Sequence, residues 1–151
     1  MIERISLTDI KEVLEVINTS NREAFRTIIP KKYFLDPVLS TKQFIKEFER
    51  YDFFSYKIRE KIVGIAALEI KNTTGIINWV YVQPKWQRKG IGTSLVKYLE
   101  KKAKKSGLNN IQLVTIEKAE VAISFYKKLG YRSVRHMERE WGLDVVMMKE
   151  L

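Results

Sequence analysis

The glycine-containing loop at residues 87–93 has the residue types best suited to holding a ligand. Its sequence is Gln-Arg-Lys-Gly-Ile-Gly-Thr, and it lies between a β-type run at residues 76–82 and an amphipathic helical pattern that begins near Ile91. The first turn of a helix has backbone N–H groups without intrahelical acceptors and carries roughly half a positive charge. Because glycine has no Cβ, such a backbone can approach a diphosphate closely. The loop therefore predicts a site for a phosphate-bearing ligand.

Length and composition favour one domain over residues 1–151 and exclude several kinds of chemistry. The chain is 45% hydrophobic and 30% charged, with no cysteine and a single histidine, His136. Disulfides, thiolate metal sites and a cysteine nucleophile are excluded, and a zinc site or a histidine-dependent triad is disfavoured. No apolar run approaches the ~18 residues of a membrane span, and the N-terminus lacks the features of a signal peptide. We therefore expect a cytoplasmic protein with no metal and no membrane partner.

The positive charge is concentrated in the half of the chain that contains the loop. Residues 1–80 have 13 Lys and Arg against 11 Asp and Glu, while residues 81–151 have 15 against 7. This excess suits a polyanionic ligand. The lysine-rich run at residues 101–105, taken alone, is more typical of a solvated helix face.

Hydrophobic periodicity predicts a mixed α/β fold. The predicted strands are residues 2–6, 53–59, 62–70, 76–82, 111–116, 131–137 and 145–148, and the predicted helices are residues 8–18, 40–51, 91–107 and 119–129. Thr8 is the expected N-cap of the first helix, and residues 22–37 are expected to hold a short helix before an irregular loop. The strand, helix and strand between residues 76 and 116 form a crossover that makes those two strands parallel. We expect a twisted, mostly antiparallel sheet with a splayed parallel pair and flanking helices.

Three motifs stand out in the second half of the chain by their order and spacing. The first is Val-Tyr-Val-Gln-Pro at residues 80–84, the second is the loop at 87–92, and the third is Ala-Ile-Ser-Phe-Tyr-Lys-Lys-Leu-Gly-Tyr at residues 122–131. Together they resemble the GNAT superfamily of acetyl-CoA-dependent N-acetyltransferases, whose patterns include Gln/Arg-x-x-Gly-x-Gly/Ala for the loop and Ala-x-x-x-Tyr-x-x-x-Gly-Phe for the third motif. Short glycine patterns recur by chance, but the order and spacing of all three agree with the family. The resemblance implies a GNAT-like fold and acetyl-CoA as the co-substrate.

The resemblance also implies roles for individual residues in the cofactor site. The Val80 N–H would polarise the acetyl carbonyl, Val82 would pair with pantetheine, and Tyr126 would protonate the departing CoA sulfur. The residues implied in binding the cofactor are Val80, Tyr81, Val82, Gln87, Arg88, Lys89, Gly90, Ile91, Gly92, Thr93 and Tyr126. In this family the amine attacks the thioester directly within a ternary complex, which agrees with the absence of cysteine.

The general base is less clearly encoded than the acid. Many members of the family use a glutamate on the central strand, but the corresponding residue here is Ile76. Glu69, late in the preceding strand, and Glu117, after the parallel strand, are the candidates that could reach the cleft, directly or through water. A further departure is Ala119, where the family often has an asparagine that contacts pantetheine.

Two other functions are compatible with the sequence. A GNAT-like protein could bind coenzyme A without transferring an acetyl group, since the strand glutamate is missing. A basic nucleic-acid-binding module would use the lysine-rich helix, but the three motifs disfavour it. A dinucleotide-binding fold is excluded because the loop is mid-chain and no acidic residue follows about twenty positions later.

The acceptor is expected to be a primary amine, on either a small molecule or a protein. The candidates for its pocket lie in the early segment, which is variable in the family, and are Glu23, Phe25, Tyr33 and Phe34. The exposed late strands leave a homodimer open.

Overall fold

A computed structural model describes all residues from 1 to 151 and contains seven strands and four α-helices. The strands are β1 (Ile2–Arg4), β2 (Asp52–Ile58), β3 (Lys61–Lys71), β4 (Thr74–Val82), β5 (Asn110–Ile116), β6 (Arg132–Arg139) and β7 (Gly142–Glu150). The helices are α1 (Ile10–Phe25), α2 (Thr41–Arg50), α3 (Ile91–Lys105) and α4 (Glu120–Lys128). None of these helices combines the length and the apolar character needed to cross a bilayer.

All seven strands form one sheet in the order β1-β2-β3-β4-β5-β7-β6. Only the β4–β5 pair is parallel, and every other neighbouring pair is antiparallel. The helix α3 connects β4 to β5 as the crossover that a parallel pair requires. The mixed, mostly antiparallel fold expected from the sequence is therefore confirmed.

The sheet is covered by helices on both faces. The larger apolar cluster contains Leu95, Val96 and Leu99 of α3, and the smaller one contains Val13, Val16 and Ile17 of α1. These residues recur every three or four positions, so each helix turns one apolar stripe toward the sheet. This arrangement fixes the N-terminus of α3, and with it the glycine loop, against the centre of the sheet.

Gly64 on β3 allows α3 to pack closely on the sheet. A Cβ at this position would lie 3.0 Å from Ile91 Cγ2 and 3.1 Å from Leu95 Cδ1. With a larger residue the side chains of Ile91 and Leu95 would have to move by a few tenths of an ångström, and well-packed interiors have little room to yield. Gly64 thus allows the first turn of α3, and the glycine loop before it, to lie close to the sheet.

The first helix differs from the sequence prediction at both ends. A 3₁₀ turn over Leu7–Asp9 precedes α1, and Ser6 caps that turn by pairing its backbone N–H with Asp9 Oδ2 at 3.0 Å. The prediction that Thr8 is the N-cap was wrong, because α1 begins only after this turn: Asp9 is the N-cap of α1, and the Ser6 to Asp9 capping box belongs to the 3₁₀ turn. The helix then continues to Phe25, so no separate short helix forms before the loop.

The closing hairpin is longer than its pattern predicted. β6 and β7 are joined by a tight turn at residues 140–141, and every β6 residue except Met137 is exposed. A strand that is exposed on both faces lacks the alternation from which strand ends are read. Its full length is set by pairing with β7 instead.

Candidate active site

The central feature of the site is a gap between the two parallel strands. β4 pairs with β5 only at residues 74–76, opposite residues 110–112, although both strands continue beyond this point. Three residues beyond the last pair, β4 has a bulge, where its register with β3 shifts opposite Ala66. Trp79 lies at this bulge with φ of 55°. A bulky residue in the left-handed region is a true outlier, and such strain is concentrated at functional sites.

Backbone groups of β4 point into this gap. The Gln83 N–H donates to Val63 O at 2.8 Å, toward β3. Because the direction of backbone groups alternates along a strand, the N–H groups of Val80 and Val82 point the other way, toward β5. Since β5 does not pair there, both N–H groups face the gap.

The glycine loop presents a row of free backbone donors. None of the N–H groups of Arg88, Lys89, Gly90, Ile91, Gly92 and Thr93 donates to an acceptor within the protein. Arg88 and Gly90 both have left-handed backbones, with φ of 62° and 82°. Turns that contain left-handed residues gather successive N–H groups into a concave anion site, and the first turn of α3 extends it. The structure therefore gathers free donors in the loop that the sequence predicts as a phosphate site, and that role stays a prediction.

Two side chains tie the loop to the end of β4. Gln87 Nε2 donates to Val82 O at 2.9 Å, and the hydroxyl of Ser20 on α1 donates to the same oxygen at 3.1 Å. The Val82 carbonyl is therefore occupied, and only its N–H is free to bind a ligand. Through this hydrogen bond Gln87 holds the glycine loop against the end of β4, while Ser20 holds α1 there.

Gly92 lets α4 approach the glycine loop. A Cβ on Gly92 would lie 3.3 Å from Cζ of Phe125. Phe125 precedes Tyr126, and the two rings pack edge to face with their centroids 5.0 Å apart. The loop and α4 are therefore held together on either side of the gap.

The gap opens into a cleft of about 770 Å³. Its walls are the second half of β4, residues 113–115 of β5, the glycine loop, α4 and the C-terminal part of α1. Of the cofactor residues expected from the sequence, the cleft is lined by Val80, Tyr81, Val82, Gln87, Arg88, Gly90, Ile91, Gly92, Thr93 and Tyr126. Lys89 is exposed and does not line it. A volume of this size is in the range of ligand sites.

Tyr126 contributes a neutral phenol to the cleft. It is 8% exposed, and its ring packs against Phe125 and Tyr131. Burial raises the pKa of Tyr126, and the nearby Tyr81 raises it further. The hydroxyl has no hydrogen-bond partner within the protein, yet it is not among the fully enclosed polar atoms. Tyr126 is therefore protonated at neutral pH and can donate into the cleft.

Tyr81 and Asn21 form a second polar contact beside the cleft. The Tyr81 hydroxyl donates to Asn21 Oδ1 at 2.9 Å, and burial raises the pKa of Tyr81. Sequence reasoning missed Asn21 and its neighbour Ser20. Both are buried polar residues that continue the apolar stripe of α1 marked by Val13 and Ile17. A polar residue on a buried stripe is the signal that could have found them.

The two candidate bases are not brought to the cleft. Glu69 is 8% exposed, forms an ion pair with Arg50 and lies 3.6 Å from Lys71 Nζ. Its hydrogen bond with Arg50 lowers the pKa of Glu69. Glu117 is exposed and lies 3.4 Å from His136 Nε2. Neither carboxylate lines the cleft, and the pairing of Glu69 makes it a weaker proton acceptor.

A second, smaller cavity adjoins the cleft and has a volume of about 250 Å³. Tyr33 and Phe34 line it, whereas Glu23 and Phe25 line the cleft. The four candidates for the acceptor pocket are thus divided between two neighbouring spaces. Trp141 and Asp144 of the closing hairpin also line the smaller cavity, and nothing in their local pattern predicted this role.

Comparisons with known proteins identify the family. The model of the acetyltransferase (GNAT) family matches residues 14–131. The spermidine N(1)-acetyltransferase of Thermoplasma acidophilum is 24% identical over 158 aligned residues, which cover 99% of this chain and 96% of that protein. The probable N-acetyltransferase 14 of Xenopus tropicalis is 36% identical over 76 residues, which cover 49% of this chain and 37% of that protein.

Solved structures agree with the fold. The PaiA N-acetyltransferase of Thermoplasma acidophilum, solved in complex with coenzyme A, has a TM-score of 0.84 at 22% identity and covers 100% of this chain and 98% of that chain. The ribosomal-protein-S18-alanine N-acetyltransferase of Escherichia coli has a TM-score of 0.82 at 18% identity. The match covers 99% of this chain and 92% of that chain. With the family match over residues 14–131, these observations lead to one conclusion: the chain belongs to the GNAT family of acetyltransferases, whose acyl donor is acetyl-CoA.

Proposed function

We propose that this protein transfers the acetyl group of acetyl-CoA to a primary amine by direct attack within a ternary complex. The observation that carries the proposal is the gap beyond residue 76, where free N–H groups of β4 and of the glycine loop surround one cleft. Backbone donors suit the phosphates and the amide-bearing arm of coenzyme A. A buried phenol, Tyr126, reaches the same cleft.

The binding roles follow from which donors are free. The N–H groups of residues 88–93 would hold the pyrophosphate, and the Val82 N–H would pair with the pantetheine arm. The Val80 N–H would donate to the acetyl carbonyl oxygen as negative charge develops there. Arg88 and Lys118 line the cleft and add positive charge suited to phosphate groups.

Acetyl transfer to a neutral amine needs only one proton donor from the protein. Acetyl-CoA supplies the thioester, the amine nitrogen forms a bond to the carbonyl carbon, and the carbon–sulfur bond breaks. The Tyr126 hydroxyl gives its proton to the leaving sulfur and regains one as the product nitrogen loses its own. The products are an N-acetylated amine and coenzyme A with a free thiol.

The strand β4 has no carboxylate that could accept a proton from the amine before attack. Ile76 stands at the position of the family's strand glutamate, and Asn78 is the nearest polar side chain of the strand. Glu69 and Glu117 remain candidates only through intervening water, since each has another partner. We propose that the amine enters as its neutral form, so that the rate rises with pH toward the pKa of the amine itself.

The test is release of free thiol from acetyl-CoA by the purified protein with and without amines. The amines are an aromatic monoamine, a polyamine, an aminoglycoside and N-terminal peptides. We expect amine-dependent thiol release and an N-acetyl product detected by mass spectrometry. Tight binding of coenzyme A with no transfer to any amine would contradict the proposal.

A further inference from the structure

The smaller cavity of about 250 Å³ has an apolar character that bears on the acceptor. It is built from the loop between α1 and α2, the end of β5 and the turn between β6 and β7. Eight of its eleven lining residues are hydrophobic. The apolar side chains that define it best are Ile29, Tyr33, Phe34, Val38 and Trp141. Its volume is below the usual range for a whole ligand, so it suits one ring or branched group of a larger molecule.

This cavity borders the cleft at the end of β5 that does not pair with β4. Val114 and Thr115 line both spaces. Asn21 lines the cavity and is hydrogen bonded to Tyr81, which lines the cleft. A group in the cavity is therefore close to the gap where the Val80 N–H points.

The cavity offers no free negative charge. Asp144 is its only carboxylate, and both oxygens are engaged: Oδ2 accepts from Arg139 Nε at 3.2 Å and Oδ1 from Trp141 Nε1 at 3.2 Å. Asp36, which follows the lining residue Leu35 in the chain, is paired with Arg22 through two hydrogen bonds of 2.7 and 3.0 Å. The whole chain has a formal charge of +10, which repels polycations at long range.

We propose that the acceptor is a monoamine whose nitrogen is attached to an aromatic or branched apolar group, and that this group occupies the smaller cavity. The inference rests on the proposed acetyl transfer and specifies its second substrate. A polyamine, with charges along its whole length, would lose hydration in this cavity without gaining an unpaired carboxylate. The same chemistry is present in a small arylalkylamine and in an N-terminal phenylalanine of a peptide.

The experiment compares kcat/KM for 2-phenylethylamine, spermidine, Phe-Gly-Gly amide and Gly-Gly-Gly amide. We expect at least one of the two phenyl-bearing amines to exceed both spermidine and the glycine peptide by about tenfold or more. The two phenyl-bearing arms separate a small-molecule source from a peptide source. The inference is overturned if kcat/KM for spermidine equals that of the better phenyl-bearing amine, or if the two peptides and 2-phenylethylamine have equal kcat/KM.

A matched pair of substitutions tests whether the cavity itself selects the acceptor. Val114→Asp adds a free carboxylate to the wall shared by both spaces, and Val134→Asp adds one to β6 away from them. The two valines are similarly exposed, at 49% and 39%. We expect Val114→Asp to shift the ratio of kcat/KM toward spermidine by roughly threefold to fivefold, with no shift in Val134→Asp. Equal ratios in both variants would count against the cavity.

Binding decides the outcome if no amine is acetylated. In that case the proposed transfer fails, and calorimetry with the coenzyme A complex measures binding of 2-phenylethylamine and spermidine directly. Preferential binding of 2-phenylethylamine that is weakened in Val114→Asp would still support the cavity assignment. Absence of that preference would overturn it.

Discussion

The side-chain oxygen of Asn78 accepts the backbone N–H of Trp79 at 2.8 Å, within the bulge of β4. Trp79 has φ of 55°, and this contact gives an acceptor to an N–H that the bulge removes from the ladder with β3. The neighbouring Val80 N–H then points into the gap. Asn78 is therefore a positioning residue for the donor that we assign to the acetyl carbonyl.

Replacing Asn78 should affect stability and turnover together. Asn78→Ala removes the acceptor for the Trp79 N–H and should lower the free energy of unfolding by about 0.5–1.5 kcal/mol. We expect kcat to fall by about tenfold, a fraction of the roughly 10²–10³-fold that loss of an oxyanion donor causes. Asn78→Asp keeps the accepting oxygen and should restore most of both quantities.

Asn109→Ala is the control for Asn78→Ala, because the Asn109 side chain is exposed and only its backbone is hydrogen bonded. Denaturant unfolding and steady-state kinetics measure the two effects. A normal kcat in Asn78→Ala would show that the contact between Asn78 and the Trp79 N–H has no effect on catalysis, and would contradict the positioning role of Asn78.

Gly90 should matter for coenzyme A binding beyond its effect on stability. Gly90 and Gly107 both have left-handed backbones, with φ of 82° and 77°, and a Cβ at either position would meet no atom within 4 Å. Alanine at either position should therefore cost a similar amount of stability, about 1–2 kcal/mol. Only Gly90→Ala should raise the Kd for coenzyme A, because only Gly90 lies in the row of free donors. Calorimetric titration of both variants checks this, and equal Kd values would contradict the loop assignment.

The pairing of Glu69 predicts a pH dependence of stability rather than of activity. The hydrogen bond from Arg50 lowers the pKa of Glu69 in the folded state below the value of about 4.5 expected when unfolded. A lowered carboxylate pKa stabilises the fold above the unfolded value, and this contribution is lost as the pH falls through the folded value. The difference in unfolding free energy between wild type and Glu69→Gln should therefore be constant well above the unfolded value of 4.5 and shrink as the pH is lowered below it.

Measurements of activity test whether Glu69 or Glu117 is the general base. Glu69→Gln and Glu117→Gln should both retain near-normal kcat/KM, because neither carboxylate lines the cleft. Glu117→Gln serves as the stability control, since the Glu117 side chain is 47% exposed. A fall of about 10²-fold or more in either variant would identify that residue as the base after all.

The parts of the site that lie close together in the sequence could be predicted from it. The loop at residues 87–93 and Tyr126 belong to local motifs, and the α3 crossover made the parallel pair of strands predictable. The residue at which β4 and β5 separate was not predictable, because it depends on contacts between strands. The same is true of the bulge at the left-handed Trp79. No pattern along the chain encodes such a bulge.

The smaller cavity also could not be predicted from the sequence. Its walls come from residues 29–38, the end of β5 and the turn at Trp141, which are far apart in the chain. Each segment looks irregular or exposed by itself, and only the fold brings them together. The pairing of Glu69 with Arg50 could not be predicted either, because Arg50 comes from another element.

Turnover by Tyr126→Phe is the measurement on which the proposed chemistry depends. Tyr98→Phe is its matched control, because Tyr98 is a partly buried tyrosine that packs on Phe54 and does not line the cleft. With the preferred amine, and with chemistry shown to limit turnover by the absence of a viscosity effect, we expect kcat of Tyr126→Phe to fall by about 10²–10⁴-fold. Its Kd for coenzyme A and both parameters of Tyr98→Phe should stay unchanged. Equal kcat in wild type and Tyr126→Phe would contradict the assignment of Tyr126 as the proton donor to the leaving thiolate.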